Sequence, residues 1–71
     1  MKIIDIFQMP TGTIVNIDIE PPAYKIDDYV AINGRNYKIK GSAMHNKSSL
    51  LIEKAEQLEN GQEIKFLKHA V

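Results

Sequence analysis

The stretch Thr11–Gly34, TGTIVNIDIEPPAYKIDDYVAING, does most to limit what this chain can become. Thr13 to Glu20 alternates. Thr13, Val15, Ile17 and Ile19 fall on one side, and Ile14, Asn16, Asp18 and Glu20 on the other. A period of two built on β-branched residues predicts a strand, with the acidic side wet. Pro21-Pro22 ends it, because proline has no ladder N–H and holds φ stiffly. Ala23 to Asp28 is expected to cross the surface, with Tyr24 and Ile26 covering an end of the fold. Tyr29 to Ile32 predicts a short strand with Val30 and Ile32 inward. Asn33-Gly34 then predicts a tight hairpin, since both residues accept positive φ.

Turns and apolar runs continue on both sides of this stretch. Lys2 to Phe7 predicts an opening strand, broken by Met9-Pro10-Thr11-Gly12. After the hairpin, Tyr37, Ile39, Gly41 and Ala43 alternate with Lys38, Lys40, Ser42 and Met44 as a returning arm. His45-Asn46-Lys47-Ser48 is expected to turn. Residues 49–58 are ambiguous: Ser49 to Leu58 could form a helix capped by Ser48 or Ser49. The alternative, a strand over Leu50 to Lys54 followed by a loop, is favoured because the returning arm needs a partner. Asn60-Gly61 predicts a turn, and Gln62 to Leu67 a last strand with Ile64 and Phe66 inward. Six short strands about ten residues apart point to a sandwich or barrel. Closure would remove exposed edges from a small sheet.

Seventy-one residues bound the chain to one domain, residues 1–71, with a modest core. Net charge is zero, so nothing global drives it toward nucleic acid or an anionic membrane. The charge is uneven: residues 1–35 hold three basic and five acidic side chains, and residues 36–71 hold six and four. The absence of cysteine excludes disulfides, thiolate metal sites and a thiol nucleophile. MKIIDIF meets an acid too early for a signal-peptide core, and no apolar run approaches membrane-spanning length. The expectation is a soluble, cytoplasmic protein; the initial Met suggests a complete small chain, and a fragment of a larger protein would also fit.

Few residues suggest chemistry. Asp27-Asp28 could hold a metal or act in acid/base work, but adjacent residues on an extended chain point apart, and a solvated turn is the favoured reading. Asp18 and Glu20 share a strand face that could meet a basic partner, or simply be wet. His45 and His69 lack the clustering a zinc site needs. His45 as a general base would need Ser42, Ser48 or Ser49 in reach, and all three suit polar turns. No catalytic, metal or cofactor-binding residue is expected, and the chain is not expected to be an enzyme. Lys38 and Lys40 share a strand face, with Arg35 and Lys47 at the strand ends. Lys65 and Lys68 are on a possible neighbouring strand. Arg35, Lys38, Lys40 and Lys47 could contact successive phosphates, with Tyr24, Tyr29 and Tyr37 as stacking surfaces. Lysines on exposed strands equally well prevent aggregation. Met44, Leu51 and Leu67 could form an apolar patch for a protein partner, although ordinary packing is the favoured reading.

Taken in order, these pieces resemble the β-barrel second domain of translational GTPases of the elongation factor Tu and elongation factor 1-alpha type. Ile4-Asp5-Ile6-Phe7 is similar to the family's opening Asp-Val-Phe, and Gly12-Thr13-Ile14-Val15 to its Gly-Thr-Val-Val. Ile19-Glu20 falls at its Val-Glu. Lys25 to Val30 resembles its Lys-Val-Gly-Asp-x-Val. Tyr37 to Gly41 and Met44 to Lys47 resemble its Val-Lys-Ser strand and Met-His turn, and Ile52 to Phe66 its closing segment. The chain departs at Asn16-Ile17-Asp18, Pro21-Pro22 and Asp27, where the family has Thr-Gly-Arg, Gly and Gly. The Arg and Gly positions lie near the region that faces RNA in relatives.

The resemblance implies an all-β fold: a small six- or seven-stranded closed Greek-key-like β-barrel of the translation-protein domain II type. It also implies a strand at Leu50 to Lys54. The phosphate-cradling Gly-x-x-x-x-Gly-Lys of a GTPase is absent from the sequence, so no GTP chemistry is expected. The expected function is a non-enzymatic, free-standing interaction module for a protein or ribonucleoprotein partner. Direct RNA or ribosome binding through the lysine-rich face is the alternative. A small inhibitor or immunity-type protein mimicking a translation-factor domain is a weaker one.

Overall fold

The computed structural model describes residues 1–43 and 46–67, without the side chains of Ala43, Asn46 and Lys47. All of its regular structure is strand: β1 (Ile3–Met9), β2 (Gly12–Ile17), β3 (Tyr29–Ile32), β4 (Arg35–Ala43), β5 (Asn46–Ile52) and β6 (Ile64–Leu67). The six strands form one antiparallel sheet in the order β1-β2-β5-β4-β3-β6. Residues 18–28 carry the chain from β2 to β3, past the two strands β5 and β4 that lie between them in the sheet. The strands at the two ends approach each other at a single antiparallel bridge between Lys2 and Glu63. Around it Ile3 N–H donates to Gln62 O (2.9 Å), Gly61 N–H to Ile3 O (2.7 Å) and Ile64 N–H to Met1 O (2.9 Å).

The alternation read from the sequence becomes the core. Val15 and Ile17 of β2, Val30 and Ile32 of β3, Ile39 of β4, Leu50 and Ile52 of β5, Ile64 of β6 and Ile3 of β1 are buried together with Ala55. Each aliphatic side chain taken fully out of water contributes roughly 1.5–3 kcal/mol, and β-branched residues suit the pleated surface they occupy. Phe66 and Tyr37 pack against this core from the inner face, and Tyr24 packs there with its ring 5.8 Å from that of Phe66.

Two turns show their chemistry directly. The register pairs Ile32 with Arg35, which leaves Asn33-Gly34 as a two-residue loop with φ of 52° and 80°. Both values are positive, as a type I′ hairpin requires. Lys25 to Asp28 forms a β-turn, in which Asp28 N–H donates to Lys25 O (3.0 Å). Its third residue, Asp27, has φ of 79°. That is the slot a type II turn normally gives to glycine.

Several expectations are corrected. β2 ends at Ile17, so Ile19 does not continue the inward row and is 53% exposed. Tyr24 covers the core as expected, but Ile26 is 66% exposed on the tip of its turn. Three residues of the expected turn, Asn46, Lys47 and Ser48, belong instead to β5, and its first residue, His45, lies with Met44 outside the described residues. Residues 49–58 contain no helix. β5 runs to Ile52, two residues short of the expected Lys54, and the chain then continues irregularly. Gly41 does not share the face of Ile39. Ile39 pairs with Ile52 but Gly41 with Leu51, so Lys40 is the extra residue of a β-bulge. The bulge moves the following residue to the outer face.

Candidate functional site

Because the inner face is filled by aliphatic side chains, any surface for recognition lies on the outer face or at the ends of the strands. The buried polar side chains Thr13 and Ser49 are turned to internal bonding. Thr13 Oγ1 donates to Gln8 Oε1 (2.9 Å) and accepts from Ala55 N–H (2.9 Å), while Gln8 Nε2 donates to Ala55 O (2.8 Å). Ser49 Oγ donates to Asn16 Oδ1. Among the described residues no buried side-chain nitrogen or oxygen lacks a partner. Nor do three His, Asp or Glu side chains among them come together as metal ligands.

The four basic residues singled out by sequence take different positions. Lys38 stands opposite Tyr29 on the outer face, with its ammonium 5.9 Å from the centre of the tyrosine ring, within cation–π range. Its backbone N–H donates to Glu53 Oε1 (2.6 Å). Lys40, on the bulge, reaches across to the β1–β2 turn and donates to the Thr11 carbonyl. Arg35 is exposed at the end of β4 and pairs with Ile32, so by register it shares the inner face rather than that of Lys38. Lys47 lies on β5, with its side chain outside the description.

On this outer face the register places Leu67 beside Tyr29 and Tyr29 beside Lys38, a half-buried row across β6, β3 and β4. The adjacent row holds Lys65, Ala31 and Asn36. Tyr29 and Lys38 were individually legible in the sequence. Their pairing needed the two-residue length of the Asn33-Gly34 loop, which sets the register. Leu51 and Leu67, expected in one apolar patch, lie on β5 and β6 with two strands between them, and Met44 lies outside the described residues. Lys65 stands on β6 as expected; Lys68 and His69 lie outside the description.

The acidic candidates serve local structure. Asp28 Oδ2 accepts from Lys25 N–H (2.9 Å) across the turn. Asp18 Oδ1 accepts from Lys2 N–H (2.9 Å), and that bond is the main cause holding the carboxyl below its ordinary value. A basic residue the sequence did not single out, Lys54, donates from Nζ to Met9 O (2.9 Å). Lys40 and Lys54 therefore hold the two carbonyls that flank Pro10, a contact spanning 29 and 45 residues of chain.

These features define a small all-β protein of one six-stranded antiparallel sheet with an aliphatic inner face. Comparison with protein families, curated proteins and solved structures finds no match for this chain.

Proposed function

We propose that the chain is a non-enzymatic interaction module that presents the Leu67–Tyr29–Lys38 row to a protein or ribonucleoprotein partner. The observation that carries this reading is the row itself: an apolar side chain, an aromatic ring and a cation are set side by side on rigid strands. Such a surface combines contact area with a charged handle. Scaffold strands hold these groups more firmly than a loop would.

The proposed scaffold is a closed Greek-key-like barrel of the translation-protein type, with β1 and β6 meeting at the Lys2–Glu63 bridge. Two observations support it. β2, β5, β4 and β3 lie in that spatial order, with β2 returning by the long 18–28 connection. Asp27 holds a positive φ where the resembled family has glycine.

A second reading, direct RNA binding, is favoured by the Tyr29–Lys38 pair, which sets a stacking ring beside a phosphate-binding cation. Retention of partners from source lysate on the immobilised protein, with protein and RNA read separately, tests both readings. Tyr29→Ala and the double variant Lys38→Glu, Lys40→Glu are each expected to reduce retention by about tenfold, equivalent to about 1.4 kcal/mol. Retention unchanged in both variants overturns the surface assignment. Absence of retained RNA at low salt removes the second reading.

A further inference from the structure

Two asparagines in the sequence, Asn33 and Asn60, precede glycine. Beside glycine, an asparagine is open to attack by its own backbone. The next residue's peptide nitrogen reaches the side-chain amide carbon, and glycine has no Cβ to obstruct the approach. Asn16, Asn36 and Asn46 are followed by Ile17, Tyr37 and Lys47, whose side chains do obstruct it. Asn33 and Asn60 are both exposed on turns, so exposure does not separate them. The peptide nitrogens that follow them do. The Gly61 N–H donates to Ile3 O (2.7 Å). The turn around Gly61 is held on both flanks: Ile3 N–H donates to Gln62 O (2.9 Å), and Glu59 N–H to Gln62 Oε1 (2.9 Å). By contrast, the Gly34 N–H makes no backbone hydrogen bond among the described residues. The two-residue loop leaves the ladder bonds to Ile32 and Arg35 on either side, and turns the Gly34 N–H to water.

From this we infer that Asn33 is a site of spontaneous deamidation in the folded chain, and that the bond to Ile3 O holds Asn60 back. The reactants are the protein and water. Base removes the Gly34 amide proton, and the nitrogen forms a bond to Asn33 Cγ. The side-chain nitrogen takes up a proton and leaves as ammonia, which closes a succinimide ring. Water then adds to either ring carbonyl and breaks that carbon's bond to the Gly34 nitrogen, which regains its proton. Opening at Cγ yields aspartate. Opening at the main-chain carbonyl yields isoaspartate, whose backbone runs through the former side chain. Either route consumes one water, releases one ammonia and adds one negative charge to a chain of zero net charge. The two products differ in what they do to the fold. Aspartate accepts positive φ, as Asp27 does at 79°, so it keeps the hairpin. Isoaspartate adds a methylene to the main chain of a loop whose length sets the register from Ile32–Arg35 to Tyr29–Lys38. It therefore loosens the β3–β4 ladder from the loop inward.

The native protein is incubated in mildly alkaline buffer and mapped by peptide mass. Amide-to-acid conversion is expected at Asn33 about tenfold faster than at Asn60, the factor set by one further hydrogen bond that must open. In urea strong enough to unfold the chain, the two rates are expected to converge. The isoaspartyl form, separated by chromatography, is expected to exchange its Ile32 and Arg35 amides faster than the unmodified protein. Asn33→Asp is expected to exchange them at the unmodified rate. Equal native rates at Asn33 and Asn60 overturn the proposal. A difference that persists in urea overturns it too, because the cause would then be local sequence and not the bond to Ile3. So does an Asn33 that stays intact in the native chain while the unfolded chain converts. An isoaspartyl form with unchanged exchange at Ile32 and Arg35 refutes the loosening of the ladder.

Discussion

Gly12 and Gly34 are both glycines beside tight turns, and they are needed for different reasons. A Cβ at Gly12 would lie 2.4 Å from the Ile52 carbonyl oxygen, a backbone atom that cannot swing away. At Gly34 a Cβ would meet nothing within 4 Å, but the residue holds φ at 80°. Gly12→Ala therefore forces β2 and β5 apart and is expected to cost roughly 1–3 kcal/mol, as overpacking does. Gly34→Ala is expected to cost about 1–2 kcal/mol through left-handed backbone strain alone. Denaturant midpoints give both costs, and cross-strand contacts separate the causes. Only Gly12→Ala should disturb the Thr13–Ile52 pairing. Equal disturbance of that pairing by both variants would refute the distinction. The need for glycine at position 34 could be read from Asn33-Gly34 alone. The need at position 12 could not, because the obstructing oxygen is 40 residues away in the chain and reaches the site only through β2–β5 pairing.

At the scale of elements, the segment after β5 shows how one residue can anchor an irregular stretch. Ala55 is buried, and its backbone N–H and C=O are taken by Thr13 Oγ1 and Gln8 Nε2. This hydrogen-bonded ring ties residues 53–58 to β1 and β2 and supplies the partners that a helix would otherwise have provided. Ser49 to Leu58 has helix-forming composition, but Leu50 and Ile52 are needed in the core as strand residues, and burial outweighs propensity. Thr13→Val keeps the shape but removes the hydroxyl, leaving the Ala55 N–H without its acceptor. It is expected to lower unfolding free energy by roughly 1–3 kcal/mol, with faster amide exchange at Ala55. Undiminished stability with unchanged exchange would show that the ring does not hold the segment.

For the molecule as a whole, the two edges of the sheet meet through Lys2. Its N–H reaches Asp18 at the end of β2, its carbonyl accepts from Asp18 N–H (3.0 Å), and it bridges Glu63 ahead of β6. The Asp18 carboxyl is held below its ordinary value, first by the bond from Lys2. The folded state therefore favours the ionised form. Its contribution is fully present above the ordinary aspartate value of about 3.9 and is lost as pH falls from there through the lower folded value. Wild type is expected to melt at a higher temperature than Asp18→Asn at neutral pH, with the gap closing below about pH 4. A gap that stays constant through that range would exclude the carboxylate as its source.

The sequence by itself determined what depends on near neighbours. Alternation at Thr13–Ile17 made a strand with a defined inner side, Pro21-Pro22 stopped the run, and Asn33-Gly34 set a two-residue hairpin. Tyr29 and Lys38 were visible as candidates for the same reason. The tertiary structure decided what depends on residues distant in the chain. The Lys40 bulge turned Gly41 outward, and register parted Arg35 from Lys38. Lys40 and Lys54 were drawn to the β1–β2 turn, and Ala55 was fixed beneath Thr13. A strand's periodicity reports which of two faces a residue occupies. It carries no information on which strand lies alongside, and one extra residue in a ladder exchanges the faces of everything beyond it.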